Sequence, residues 1–354
     1  MESEITQSST LVPGPRSLGG GARIVALGGG TGLPTLLRGL REVMFPDDAS
    51  WRADRDRDRL TAVVTMADDG GSSGRLRKAY GVLPPGDLRN CLLALANGNP
   101  RLASLFDFRF HGKSELGGHN LGNLILTALS QMEEDLPGAI AWAAEVLDVR
   151  GRVLPASLEP LTLRAAYEDG SCMDGESRIA SRRRRIRRIF VRPADARALP
   201  EAVEAIHQAD LILIGPGSLY TSVMPVLLIH EIARAIERSA ARVALVLNLM
   251  TEPGETDGYS ARDFVSAIQD HAPRLRISDV LINCTPIADH RIDRYASEGA
   301  DVVRIETDPL RFMGCAPALR DLLEDGEKVR HDPRKLGRAV MELISEERQC
   351  AIPS

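Results

Sequence analysis

The residues best suited to chemistry lie in two glycine-rich turns, each of which follows a short apolar run. The first turn contains Gly28, Gly29, Gly30, Thr31 and Gly32. The second contains Gly215, Gly217, Ser218, Leu219, Tyr220, Thr221 and Ser222. Glycine lets backbone N–H groups approach an anion, and a helix that starts at such a turn adds partial positive charge. We predict that both turns contact phosphates of one ligand, although tight turns without a ligand would also explain the glycines.

The first turn matches neither of the two common phosphate-binding motifs. Gly28 and Gly30 fit the dinucleotide fingerprint, but Leu33 stands where its third glycine is required. The stretch Gly112-Lys113-Ser114 lacks the upstream glycine of a nucleoside triphosphate loop, because Asp107 occupies that position. The pattern thus indicates phosphate binding without identifying the ligand, and plain dinucleotide binding, for example of NAD, remains an alternative.

An acidic loop follows the second apolar run and contains the candidate residues Asp68, Asp69, Ser72 and Ser73. A carboxylate at the end of a strand can accept hydrogen bonds from a ribose. Two adjacent carboxylates could instead hold Mg²⁺ beside phosphates. Asp-Gly sequences also favour turns with no ligand, so the sequence leaves all three interpretations open.

The other polar candidates lie at the starts of predicted helices or directly after predicted strands. They are Asp87, Asn90, His119, Asn120, Asn123, Asn248 and Thr251. Asp87 is equally well explained as a helix N-cap or as a ligand contact. His119, Asn120 and Asn123 are either structural or form one wall of a polar pocket. No nucleophile and base can be paired from spacing alone.

The elements that must position these residues alternate between buried strands and amphipathic helices. Apolar runs at residues 24–27, 60–66, 210–214 and 243–247 predict an α/β fold with a doubly wound, mostly parallel Rossmann-like sheet and a small inserted β-rich subdomain. We predict a disordered N-terminal tail at 1–22, domain halves at 23–149 and 194–345, the insertion at 150–193 and a C-terminal tail at 346–354. The carboxyl ends of the strands would then share one rim.

Composition restricts the classes of partner. The 354 residues carry a net charge of −5, which gives no general attraction to nucleic acid or anionic membranes. The five cysteines lack CxxC spacing, and no apolar run reaches 18 residues. We expect a cytoplasmic protein that neither binds nucleic acid nor inserts into a membrane. The basic cluster Arg182–Arg188 lacks interleaved aromatic residues and indicates a solvated face or a protein contact.

The ordered set of motifs resembles the gluconeogenesis factors (YvcK-like proteins), which are related to the 2-phospho-L-lactate transferases (CofD-like). The motifs are Gly28–Leu33, Ala67–Gly74, Pro84–Asp87, His119–Asn123, Gly215–Ser222 and Asn248–Thr256. The resemblance implies a cytoplasmic protein that binds UDP-sugars such as UDP-N-acetylglucosamine. It also implies a role in cell-wall synthesis and cell shape on gluconeogenic carbon sources. Cell-wall synthesis proteins and a second copy of the chain are the candidate protein partners.

One departure from the transferase pattern separates a binding protein from an enzyme. The transferases are expected to show Gly-Pro-Ser-Asn-Pro where this chain has Gly215-Pro216-Gly217-Ser218-Leu219. The leading hypothesis is therefore a non-catalytic regulator that binds a nucleotide sugar. The sequence identifies no cofactor with certainty. The enzyme alternative is phosphotransfer to a deazaflavin, with Asp68, Asp69 and Mg²⁺ positioning a phosphate.

Overall fold

The computed structural model describes residues 21–46, 51–133 and 135–350, with the backbone alone for Asp54 and for residues 347–350. The strands are β1 Ile24–Gly28, β2 Leu60–Val64, β3 Arg152–Pro155, β4 Thr162–Tyr167, β5 Cys172–Asp174, β6 Ile186–Arg192, β7 Leu211–Ile214, β8 Arg242–Val246, β9 Asp279–Asn283 and β10 Ala316–Arg320.

The helices lie between and after these strands, with α3 to α7 following one another between β2 and β3. They are α1 Gly32–Met44, α2 Ala53–Asp56, α3 Gly71–Tyr80, α4 Gly86–Leu95, α5 Pro100–Asp107, α6 Leu121–Met132, α7 Leu136–Val146, α8 Glu176–Ser181, α9 Pro200–Gln208, α10 Met224–Leu227, α11 His230–Arg238, α12 Ala261–His271, α13 Asp289–Ala296, α14 Thr307–Phe312 and α15 Pro333–Cys350. Short helical turns also occur at Arg57–Arg59 and Leu219–Val223.

The central sheet has seven parallel strands in the order β10-β9-β8-β7-β1-β2-β3. Every residue of β1, β2 and β7 is buried, because helices cover both faces of the sheet. The predicted doubly wound fold is confirmed. The strand order reverses between β1 and β7, and ligands of such sheets bind at this kind of switch point.

The terminal helix packs closely across α1. A Cβ atom added at Gly39 would lie 1.7 Å from the Pro333 carbonyl oxygen, and one at Gly337 would lie 2.4 Å from the Gly39 carbonyl oxygen. Glycine is therefore required on both helices at the crossing. The helix α15 runs to Cys350, so it includes part of the segment 346–354 that the sequence indicated as a tail.

The insertion is a three-stranded antiparallel sheet in the order β5-β4-β6, with α8 between β5 and β6. Leu163, Ala165, Ile189 and Val191 bury one face of this sheet against the main core. The assignment of β3 to the insertion is wrong, because β3 pairs in parallel with β2 at the edge of the main sheet. Its half-buried alternation is common to both kinds of strand, so periodicity could not separate them.

Of the predicted N-terminal tail at 1–22, residues 1–20 lie outside the described part of the chain. In the part that is described, no individual helix combines the length and apolar composition required to cross a bilayer. One pair of helical segments, Leu219–Leu227 and His230–Arg238, meets that test jointly but is bent by 74°.

Candidate functional site

The two glycine turns meet at the switch point of the sheet. A Cβ added at Gly32 would lie 2.3 Å from the carbonyl oxygen of Pro216. One at Gly217 would lie 3.3 Å from the carbonyl oxygen of Gly29. Because the backbone leaves no room for a side chain at Gly32 and little room at Gly217, the glycines let the two turns pack closely. The structure thus brings together the two turns that the sequence analysis assigned to one ligand.

The first turn presents an open helix end. Gly28 and Gly29 are buried, Gly30 and Gly32 are half-buried, and Thr31 is exposed. No side chain caps the N-terminus of α1, and its first turn contains no acidic residue. The first N–H groups of a helix have no partner within the helix, so they carry partial positive charge and can bind an anion.

The second turn is occupied by groups of the protein itself. The carboxyl of Glu255 accepts hydrogen bonds from Tyr220 N–H at 3.3 Å and from Thr221 Oγ1 at 3.0 Å. The Asn248 side chain accepts from Gly217 N–H at 3.2 Å and donates to the Gly217 carbonyl at 3.0 Å. The predicted residues Leu219, Tyr220, Thr221 and Ser222 are buried, whereas Gly217 and Ser218 are half-buried.

The two carboxylates of the acidic loop diverge. Asp68 Oδ1 accepts a hydrogen bond from Gly70 N–H at 2.9 Å, and Asp69 Oδ1 accepts one from Ser177 N–H of α8 at 2.9 Å. Asp68 lies beside the start of α4, where a Cβ added at Gly86 would be 3.1 Å from its Oδ2, whereas Asp69 is hydrogen-bonded to the insertion. Across the described ranges, no three His, Cys, Asp or Glu side chains converge as metal ligands. The two carboxylates therefore make separate contacts with the protein, and a Mg²⁺ site at Asp68 and Asp69 stays a prediction.

Asp87 links the acidic loop to the first turn. It lies inside the first turn of α4, whose N-cap is Pro85, so the interpretation of Asp87 as an N-cap is wrong. The helix starts at Gly86, directly after two prolines, which is two residues earlier than a capping Asp87 would allow. The Asp87 carboxylate instead accepts a hydrogen bond from Gly30 N–H. Burial, and to a smaller extent the charge of Asp68, raises the pKa of Asp87 to about 6.

Ser72, Ser73 and His119 join the starts of neighbouring helices. The Ser72 hydroxyl lies 3.0 Å from His119 Nδ1, and Ser73 Oγ accepts a hydrogen bond from Gly86 N–H at 3.2 Å. All three side chains are buried. Burial lowers the pKa of His119, which favours the neutral imidazole. These hydrogen bonds connect the helix that follows the acidic loop to His119 and to the start of α4.

The predicted asparagines and Thr251 are also engaged by the protein. Asn120 caps α6 by accepting from Asn123 N–H at 3.3 Å, and Asn123 Oδ1 accepts from Arg89 at 3.1 Å. Asn90 Oδ1 accepts from the same guanidinium at 2.5 Å. Thr251 Oγ1 accepts a backbone N–H at 2.9 Å and is 2% exposed. These side chains therefore already have hydrogen-bond partners within the protein.

Three acidic residues near the site were missed by sequence reasoning. Burial, followed by the charges of Asp68 and Asp69, raises the pKa of Glu176 to about 7. Burial, followed by Glu252, raises the pKa of Glu255 to about 8, and burial also raises the pKa of Glu252. The last two lie in the Asn248–Thr256 motif and could have been found there, whereas nothing in the sequence marked Glu176.

These acids define what the site can bind. A carboxyl that keeps its proton near neutral pH can donate a hydrogen bond, whereas an ionised carboxylate only accepts. A hydroxyl group can donate to a carboxylate, so Asp68 and Asp87 suit the hydroxyl groups of a sugar or ribose, and the open end of α1 suits a phosphate. The site offers an anion-binding helix end beside hydroxyl-binding carboxylates.

Comparisons with known proteins agree over most of the chain. The family model described as 2-phospho-L-lactate transferase CofD matches residues 24–323. A gluconeogenesis factor of Halalkalibacterium halodurans is 44% identical over 321 residues, covering 90% of this chain and 95% of that protein. One of Bacillus subtilis is 41% identical over 326 residues, covering 92% and 98%. A crystal structure of a Bacillus halodurans protein has a TM-score of 0.84 at 43% identity and covers 90% and 99% of the two chains.

Proposed function

This chain belongs to the gluconeogenesis factor family, within the group matched by the CofD family model, and from that premise we propose that it is a regulator that binds a UDP-sugar. The ligand class follows the expectation of UDP-N-acetylglucosamine or a close analogue. The protein acts in the cytoplasm and supports cell-wall synthesis and cell shape during growth on gluconeogenic carbon.

The observation that carries the proposal is the open end of α1 beside Asp68 and Asp87. The diphosphate lies against the N–H groups at Thr31 and Gly32, where no side chain caps the helix. A hydroxyl-bearing part of the ligand, the ribose or the sugar, lies against the half-buried carboxylates. The partial positive charge of the helix end offsets the phosphate charge that these carboxylates would otherwise repel.

Among the candidate site residues that the structure describes, no exposed nucleophile is paired with a base, which favours binding over catalysis. Of the candidate site residues, Ser72 and His119 are hydrogen-bonded to each other, but both are buried behind the acidic loop. The proposal therefore requires no bond to be made or broken. Product formed from a deazaflavin acceptor and a phospholactyl-nucleotide donor would instead establish the transferase alternative.

Titration calorimetry with UDP-N-acetylglucosamine tests the proposal. A hydrogen bond to a charged group contributes roughly 1.5–3 kcal/mol, so Asp68→Asn should weaken binding about tenfold to a hundredfold. The matched control is Asp69→Asn, because the neighbouring carboxylate faces Ser177 of the insertion. We expect the control to stay within about threefold of the unmodified protein.

Two results would contradict this account. Equal affinity in the protein and in Asp68→Asn would remove Asp68 from the site. No binding of any UDP-sugar, with a thermal shift produced by NAD or GDP in the same plate, would replace the proposed ligand class. A ligand at a hundredfold its dissociation constant adds about 2.7 kcal/mol of stability, so the shift is readily measured.

A further inference from the structure

The free edge of the inserted sheet is attached to the main domain by one imidazole. Ile189 of β6 donates its backbone N–H to Nε2 of His271, the last residue of α12, at 3.0 Å. Nδ1 of the same ring lies 2.7 Å from the Ala267 carbonyl oxygen. A carbonyl can only accept, so Nδ1 carries the proton and Nε2 is free to accept. The two contacts therefore require one neutral tautomer.

This imidazole lies where the insertion, α12 and the second glycine turn meet. The Tyr220 ring contacts it edge-on, with centroids 5.9 Å apart. The insertion in turn reaches the ligand site through α8, which contributes Glu176 and donates the Ser177 N–H to Asp69. A displacement of β6 would thus change the position of α8 against the acidic loop.

We propose that His271 is a proton-sensitive positioning residue, which in its neutral form holds the inserted sheet in the geometry that ligand binding requires. The proposal rests on the proposed function for its effect on the ligand. Protonation would place a second N–H on the ring, directed at the Ile189 N–H, and the hydrogen bond would be lost. The edge of β6 would then be held less tightly against α12, while the buried face of the inserted sheet stays packed on the main core.

The surroundings of the ring determine when this occurs. Asp270 on α12 favours protonation, and Arg188 on β6 opposes it. The other titratable or charged groups around the ring are Tyr220 in the second turn and His230, Arg234, Glu237 and Arg274, which line the same groove. Burial is the largest influence and lowers the pKa of His271 below its usual 6.5. The neutral ring therefore predominates at pH 6.5 and above, and the attachment weakens as the pH falls through the lowered pKa of His271.

Hydrogen exchange of the β6 amides tests the proposal without any ligand. After correction for intrinsic exchange rates, protection of the Ile189 amide should fall about tenfold between pH 7.5 and 5.0. His271→Gln is the matched control, because a glutamine oxygen can accept the same N–H and does not titrate. It should show no such change, and His271→Ala should have the low protection at both pH values.

Ligand affinity provides the second readout. Between pH 7.5 and 5.0 the unmodified protein should lose about tenfold more affinity for UDP-N-acetylglucosamine than His271→Gln loses. Equal pH dependence of β6 exchange in the two proteins would overturn the proposal, and so would a β6 response with no difference in affinity. If no UDP-sugar binds at either pH, the proposed function fails, and the positioning role stands or falls on whether α8 loses protection together with β6.

Discussion

Both turns are rich in glycine, but they differ in which groups accept hydrogen bonds from their backbone N–H groups. The first turn leads into α1, whose N-terminus has no capping side chain. The Asp87 carboxylate accepts a hydrogen bond from the Gly30 N–H of this turn. In the second turn, the Glu255 carboxyl accepts a hydrogen bond from the Tyr220 N–H. The Asn248 side chain accepts from the N–H of Gly217 and donates to its carbonyl. The same strand-turn-helix pattern therefore leaves a helix N-terminus without a capping side chain in one place and forms a structural joint in the other.

The difference arises from the loop that follows the neighbouring strand. The loop after β8 projects Asn248 and Glu255 onto the second turn, so polar groups of the protein replace a ligand there. The loop after β2 places Asp68 beside the first turn but leaves the end of α1 open. A glycine turn can therefore be assigned to a ligand only when the side chains of the adjacent loop are known.

The largest expected effect comes from separating the two turns. In Gly32→Ala the new Cβ would lie 2.3 Å from the Pro216 carbonyl oxygen, which is backbone and cannot move aside alone. We expect the free energy of unfolding to fall by about 3 kcal/mol, as for overpacking in a core, and ligand binding to be lost. Urea denaturation measures the first effect and calorimetry the second.

The neighbouring exposed residue supplies the control for this variant. Thr31→Ala alters the same turn without a new contact and should stay within about 0.5 kcal/mol of the unmodified protein. If Gly32→Ala were equally mild, the two turns could move apart freely, and the interlocked geometry would not be the basis of the site.

The next effect tests whether Glu255 fills the second turn. Glu255→Ala would leave the buried Tyr220 N–H and Thr221 hydroxyl without their acceptor, which should lower the free energy of unfolding by about 1–3 kcal/mol. Glu255→Gln retains an acceptor oxygen and should be much milder. Denaturation of both variants at pH 6 makes the comparison, and equal losses would show that the contacts to Tyr220 and Thr221 contribute little.

The same residue gives a pH dependence of known sign. The pKa of Glu255 is about 8 in the folded protein and about 4.5 in an unfolded chain. Between these values the folded state holds a proton that the unfolded state has released, so stability should fall as the pH rises from 4.5 to 8. Glu255→Gln should reduce that slope. An unchanged slope would mean that other groups, such as Glu176, produce it.

The general architecture was predictable because its signals are local. Buried runs such as Ile24–Leu27 identify parallel strands, and Ser260 with Asp263 predicts a capping box that the structure contains. The position of the site follows from those elements, since strand ends share one rim in this fold. Motif resemblance extended the prediction to the family, which the comparisons confirm.

The roles of individual polar residues and the sheet to which β3 belongs depend on contacts between residues far apart in sequence. Nothing near Asp69 indicates that its carboxylate binds Ser177 of the insertion, and the turn at Gly217 does not show that Asn248 will occupy it. Half-buried alternation could not assign β3 to the main sheet. The roles of individual polar residues therefore required the tertiary structure, whereas their clustering did not.

The smallest expected effect is a difference between the two turns in their binding of inorganic diphosphate. Inorganic diphosphate should bind weakly at the open end of α1, because a helix end contributes only about 0.3–1 kcal/mol to an anion. In an amide NMR titration the signals of Thr31, Gly32 and Leu33 should shift, and those of Tyr220 and Thr221 should not, because Glu255 already occupies that turn. Equal shifts in both turns would contradict the distinction between them. In Glu255→Ala, where the acceptor is gone, the second turn should begin to respond as the first does.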